Sequence, residues 1–446
     1  MKKSIQYILL LLAALVPFGI MAQMGQAYEL NINGVKVIVQ PSGNEILEIQ
    51  TIIKGGVQNY PANKAGIENL ALSALTECGT LKDDKNSFKN KLDKVSAQVG
   101  GSSDMDFASF TMNCIKSDFD VVWPLYADAM TIPKFDEKEF ARIKQDQINI
   151  LRAQESNPDF AIDRMAKQLA FAGKNYAKDP QGTVETVGNL TAAETKKYIQ
   201  SILTRSRMII VVVGEVDKNV LEARIKNLLA KVPAGTPFKL KKESYSPPEN
   251  TLKQQEKELA TNYIQGITGA PQPGTPDYNA FVLAMRIFAN KHFIAIRTNN
   301  GLSYAPQAWF SGGLTPYANI SVSTTDPNKY VAVARQLIDK IKKEGFKAED
   351  LKNEKTGYVT NVYYRLETNS AQAASLASNE VLHGNWRRAN TIKDDMKKVR
   401  VEDLNRVFNK YITNITWAYQ GDPKKGDAKI FTQKETPPVP KDLKAF

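Results

Sequence analysis

The chain has 446 residues, 59 Lys+Arg against 47 Asp+Glu, a formal charge of +12, and only two His and two Cys. Its length holds two or three domains with sizeable cores, and its composition excludes a disordered, collagenous or disulfide-stapled chain. His292 and His383 stand far apart, and Cys78 and Cys114 are too few for a cysteine-rich site, so composition argues against a zinc site built by this chain alone.

The first 22 residues read as an export signal. Lys2 and Lys3 form a basic start, Ile8 to Val16 a short apolar run, Pro17 and Gly19 break it, and Ala22 precedes a cleavage point. The run is too short to span a membrane, and no later stretch reaches about eighteen apolar residues. The expected mature protein is exported, periplasmic, and about +10 in charge once the signal leaves. No dense Lys/Arg block interleaved with aromatics occurs, so nucleic acid is not an expected partner and the surplus reads as a solvated basic surface.

Ile46 to Lys54 reads as a strand, followed by Gly55 and Gly56. Between Gly66 and Thr80 a helix aligns Ile67, Leu70, Ala71, Ala74 and Leu75 at i, i+3, i+4, i+7, i+8, which is a core face. The glycines in Val99 to Ser103 suit a strand entry or bulge. Cys114 lies in an alternating strand and Cys78 near a helix end. In an oxidising compartment these are either a disulfide or two buried thiols. Met208 to Val213 is a buried strand by its unbroken apolar, β-branched-rich run. Residues 231–250, with five prolines and glycines in a Lys-rich stretch, read as a linker.

Three signatures recur across that linker at an offset of roughly 210 residues. A strand leads through an acidic residue into a helix at Phe110–Asp118 and again at Ala318–Asp326. A Phe and an acidic turn open a long helix at Phe135 and at Phe346, with exits at Glu155-Ser156-Asn157 and Glu367-Thr368-Asn369. A helix then leads into a strand that stops at a glycine, over Leu190–Gly214 and Val399–Gly421. The expected fold is α+β. It consists of two duplicated domains, each a mostly antiparallel sheet with helices on one face, arranged as a half-clamshell. The expected boundaries are a signal over 1–22, a first domain over 23–232, a linker over 233–252 and a second domain over 253–446.

Phosphate-loop, nucleophile-elbow and H-E-x-x-H motifs are absent. Neither His sits in a catalytic context, and each reads as a hydrogen-bonded or surface residue. The segment from Gly66 to Gly79-Thr80, however, resembles the pitrilysin/insulin-degrading-enzyme family of zinc peptidases, whose active members carry H-x-x-E-H between a similar Gly and Gly-Thr. Counted from Gly66, the three motif positions are Asn69, Leu72 and Ser73. Counted back from Gly79 they are Leu70, Ser73 and Ala74, because the segment is one residue longer. Neither register supplies a ligand or base. Asn149 or Ile150 stands where the family places its third ligand, a Glu. No metal is therefore expected on this chain.

The resemblance extends over Tyr176, Pro180, Gly182 and Leu190-Thr191, and in the second half over Arg297, Gly301, Leu302 and Tyr304, similar to the family's Arg-x3-Gly-Leu-x-Tyr. It implies that Arg297 and Tyr304 bind the scissile peptide group, with Gly301 and Leu302 in the substrate-binding segment. The residue types suit that role: an Arg offers a rigid fork of donors, and a Tyr hydroxyl donates to a developing oxyanion. Some members of the family split their chamber over two chains, one bringing zinc and the other Arg and Tyr. The expectation is a non-zinc subunit of a heteromeric metallopeptidase that needs a zinc-bearing homologous partner and acts on peptides. The alternative is a catalytically inert pseudo-peptidase serving as scaffold or peptide-binding protein.

Overall fold

The computed structural model describes residues 26–438 and Leu443. The export signal expected over residues 1–22 lies outside them. Six strands make the first sheet: β1 (Tyr28–Ile32), β2 (Val35–Gln40), β3 (Ile46–Lys54), β4 (Gln98–Ser103), β5 (Phe107–Ile115) and β6 (Met208–Val213). Their order is β1-β2-β6-β3-β5-β4, antiparallel except where β2 runs parallel to β6. Asn33 and Gly34 close the β1–β2 hairpin with φ of 50° and 82°, the left-handed pair that a tight turn of the right twist requires.

The second sheet holds β7 (Thr251–Glu256), β8 (Asn262–Gly269), β9 (Gln307–Ser311), β10 (Tyr317–Thr324) and β11 (Thr416–Gly421). Its order is β7-β11-β8-β10-β9, with β7 parallel to β11 and the remaining pairs antiparallel. Strand for strand this is the first sheet without β1, its parallel pair included. The three short signatures mark a repeat of topology.

The first half carries helices α1 (Ile67–Glu77), α2 (Lys85–Asp93), α3 (Phe119–Thr131), α4 (Glu137–Ser156), α5 (Pro158–Ala170), α6 (Val184–Gly188), α7 (Ala192–Ile202) and α8 (Lys218–Ala230). The second carries α9 (Asp277–Phe293), α10 (Pro327–Glu344), α11 (Ala348–Arg365), α12 (Asn369–His383), α13 (Arg388–Lys398), α14 (Val401–Tyr411) and α15 (Ala428–Thr432). Local chemistry sets the helix starts. Asp136 caps α4 by accepting from the Lys138 and Glu139 amides, Asn157 caps α5 ahead of Pro158, and Thr368 caps α12.

The helices expected on one face of each sheet are joined by one on the other. All six residues of β6 are buried. Met208, Ile210 and Val212 face the main core of the first half, while Ile209, Val211 and Val213 meet Ala373, Leu376, Ala377 and Val381 of α12. In return α5 lies on β8 and β11, where Asp163 accepts from Gln265 Nε2 at 2.9 Å. Each half thus lends a helix to the other's sheet. A strand buried on both faces demands such a cover.

Residues 231–250 contain no helix or strand. They lie along the first half: Gln58 bonds both the amide and the carbonyl of Lys241, and Arg207 stacks over the Phe238 ring at 3.7 Å.

Candidate functional site

Helix α1 starts at Gly66, whose φ is 93°. A Cβ there would stand 2.7 Å from the Gln181 carbonyl, so the helix enters where only glycine fits. Ile67, Leu70, Ala71, Ala74 and Leu75 are buried, as their spacing predicts. The motif positions occupy the flank toward the edge strand β4. Leu72 is buried, and a Cβ on Gly101 of β4 would lie 3.1 Å from its own Cβ. Ser73 turns its hydroxyl back onto the Asn69 carbonyl at 3.1 Å. Asn69 reaches Gln147 at 3.4 Å and the Ser103 amide at 3.5 Å, both long contacts.

Gln147, not Asn149, stands opposite Asn69. Asn149 is exposed and accepts from Gln145, whereas Gln147 is buried and donates to the Gln181 carbonyl at 2.6 Å. The reason is helical phase. Phe140, Ile143, Gln147 and Leu151 form the inward stripe of α4, and a residue two places from Gln147 points nearly the opposite way. That stripe is visible in the sequence and is the signal that would have found Gln147.

Amide, hydroxyl and aliphatic side chains therefore stand at the motif positions expected from the sequence, and none is a zinc ligand. Among the described residues no group of three His, Cys, Asp or Glu could hold a metal ion.

A residue to which no motif pointed lies beside this station. Glu68 is fully buried and accepts from Asn59 Nδ2 at 2.9 Å, Ser103 Oγ at 2.8 Å and the Tyr198 hydroxyl. Burial pushes its carboxyl above the usual range, against the pull of those three donors and of Arg207. Arg207 in turn bonds Asn59 Oδ1 at 2.7 Å. The network ties α1, α7 and β4 together.

Both cysteines are buried and unpaired in this structure, and burial pushes their thiols up, to about 12 for Cys78 and about 11 for Cys114. His292 is buried with Nε2 3.2 Å from the Tyr330 hydroxyl, and His383 packs edge-on to Tyr278.

In the second half α9 widens into a π-helical turn over Ile294–Asn299 that carries Arg297. The amides of Gly301 and Leu302 close back onto the carbonyls of Arg297 and Ile296 at 3.0 and 2.9 Å. Gly301 adopts a φ of 59° to make that reversal. Leu302, expected in the substrate-binding segment, is 8% exposed and packs in the second core. It anchors the loop, because a side chain following so tight a reversal is carried inward. Two residues on, Tyr304 is 79% exposed. The Arg297 guanidinium lies 4.0 Å from the Tyr304 ring centroid and 5.2 Å from that of Phe293. Arg297 makes no ion pair among the described residues. The structure thus joins Arg297 and Tyr304 into one displayed unit.

Comparison with known proteins bears on the fold. Residues 189–358 match the family model of the Peptidase M16 inactive domain. The chain is 18% identical over 390 residues to the uncharacterized zinc protease YmxG of Bacillus subtilis, covering 85% of this chain and 94% of that one. Its fold matches the crystal structure of a peptidase M16 inactive domain from Pseudomonas fluorescens with a TM-score of 0.80 at 16% identity, over 89% of this chain and 98% of that one. It also matches the periplasmic protease PqqL from Escherichia coli, with a TM-score of 0.76 at 14% identity, over 90% of this chain and 46% of that longer one.

Proposed function

Because the chain is an insulinase-like relative of the M16 zinc peptidases that lacks their zinc motif, we propose that it serves as the non-zinc subunit of a heteromeric metallopeptidase exported to the periplasm. Arg297 and Tyr304 complete the active site of a zinc-bearing partner. A zinc held by the partner would supply activated water; the Tyr304 hydroxyl would donate to the developing oxyanion, and Arg297 would hold substrate carbonyls in its fork. The carrying observation is the displayed pair itself. A guanidinium with no ion pair among the described residues, stacked on a tyrosine left 79% exposed, does little for the fold of this chain.

Affinity capture from the native envelope tests the reading, with recovery of a similar-sized chain bearing H-x-x-E-H as the expected result. In the reconstituted pair, Tyr304→Phe lowers peptide cleavage roughly 100-fold, the scale for one oxyanion donor. Its unfolding midpoint stays at the wild-type value, since among the described residues the hydroxyl has no hydrogen-bond partner. Unchanged cleavage would remove the catalytic role.

A second reading, an inert scaffold or peptide-binding protein, is favoured by one observation. Leu72 is packed onto Gly101 of the edge strand, so the first-half station is closed by apolar contact. Recovery of the chain alone, or with unrelated envelope proteins, supports that reading.

A further inference from the structure

Away from both stations, a cleft of 480 Å³ opens between α9, α11, α12 and α13. Its volume lies within the roughly 300–1,000 Å³ of small-molecule sites. Val282, Val362, Leu366, Ile392 and Met396 supply an apolar wall. Arg365 and Arg388 line it as well, and no Asp or Glu does. Arg365 makes no ion pair among the described residues. The carboxylate of Asp395 stands 3.8 Å from Arg388 and is shared with Lys398 at 3.0 Å.

The positive field reaches the other lining groups. Burial, then Arg388 and Lys242, push the His383 imidazole down to about 4, so it is neutral at pH 7 and adds a polar edge without charge. Burial raises the Tyr358 phenol, and Arg365, Arg388 and Arg286 oppose that rise.

We propose that this cleft binds a small amphipathic monocarboxylate, its carboxylate between Arg365 and Arg388 and its apolar tail along the α11–α13 wall. Guanidinium forks match carboxylate geometry, and the apolar wall offsets their cost only if the ligand also brings a tail. A small polyanion would leave the wall unused, and a neutral lipid would leave the arginines unused. A medium-chain fatty acid and the free C-terminus of an apolar peptide share this chemistry.

Titration calorimetry on the full chain separates the sources. Decanoate below its micelle threshold and N-acetyl-Leu-Phe as the free acid are the two probes, with decanol and the dipeptide amide as uncharged controls. The expected result is one equivalent bound per chain by at least one acid, with its control weaker by about tenfold or more. Tighter binding of decanoate identifies the fatty acid, and tighter binding of the dipeptide identifies the peptide terminus. Arg365→Gln, at an exposed site, weakens the acid by about tenfold and leaves the unfolding midpoint in place. Ser378→Leu, which narrows the cleft without touching either arginine, weakens acid and control alike. Equal binding of acid and control, unchanged affinity in Arg365→Gln, or no saturable binding to the folded wild type would overturn the proposal.

Discussion

His292 sits in a pocket where Nε2 meets the Tyr330 hydroxyl and Nδ1 has no partner among the described residues. Burial pushes its imidazole down to about 3. The unfolded chain therefore binds a proton that the native chain refuses, and stability is lost as pH falls from about 6.5 toward 3. Between pH 7 and pH 4 this one residue costs on the order of 3 kcal/mol. In His292→Phe that part of the pH dependence disappears, read as a flatter plot of urea midpoint against pH. A constant offset from the orphaned Tyr330 hydroxyl leaves the slope unaffected. The same scale shows where residue counting reaches its end. Two histidines in the whole chain sufficed to argue against a self-made zinc site, but choosing Gln147 over Asn149 required the phase of α4.

Gly100 and Gly101 belong to a regular ladder, paired with Thr111 and Phe110, and are neither a strand entry nor a bulge. Their roles differ by face. A Cβ at Gly101 would meet the Phe110 ring at 2.9 Å, the Ser109 carbonyl at 3.0 Å and Leu72 at 3.1 Å, while one at Gly100 meets nothing within 4 Å. Gly101→Ala is expected to cost about 1–3 kcal/mol by forcing β4 away from α1, whereas Gly100→Ala is close to neutral. Equal urea midpoints for the two variants would contradict this account. The exchanged helix α12 gives a second test. Leu376→Ala in the second half removes a side chain buried against β3 and β6 and should cost about 2–5 kcal/mol. Hydrogen exchange then quickens in β3 and β6 of the first half, although the substitution lies more than a hundred residues away in the chain. Faster exchange confined to the second half would deny the exchange of helices.

Two buried polar knots join the halves. Asn369 at the start of α12 accepts from Ser42 Oγ at 2.9 Å and exchanges amide bonds with Asn44. Asp106, just before β5, accepts from the Tyr176 hydroxyl at 2.7 Å and from the Leu314 amide at 3.1 Å across the halves. Burial raises the Asp106 carboxyl to about 6, against the pull of both donors. Here the native chain holds the proton more tightly than the unfolded one. The contribution is fully present below about pH 3.8 and is lost as pH rises through 6, opposite in sign to that of His292. Asp106→Asn should remove a decline of about 2 kcal/mol between pH 4 and pH 7, whatever its constant cost from facing an amide to the Leu314 N–H. A wild-type slope in that variant would show that the Asp106 carboxyl is not the titrating group.

Much of this molecule follows from its sequence alone. The repeated strand–helix signatures contain the duplication, and the run from Met208 to Val213 announces a strand with no wet face. The side chains at Asn69, Leu72 and Ser73 exclude zinc ligation in one register, as Leu70, Ser73 and Ala74 do in the other. These conclusions depend on composition and on periods of two and 3.6 residues, which a strand or helix expresses by itself. The tertiary structure decided what covers the second face of each sheet, that Glu68 is buried among Asn59, Ser103 and Tyr198, and that Leu302 turns inward while Tyr304 turns out. It decided them because each depends on how one element meets another distant in the chain, and no local period carries that register.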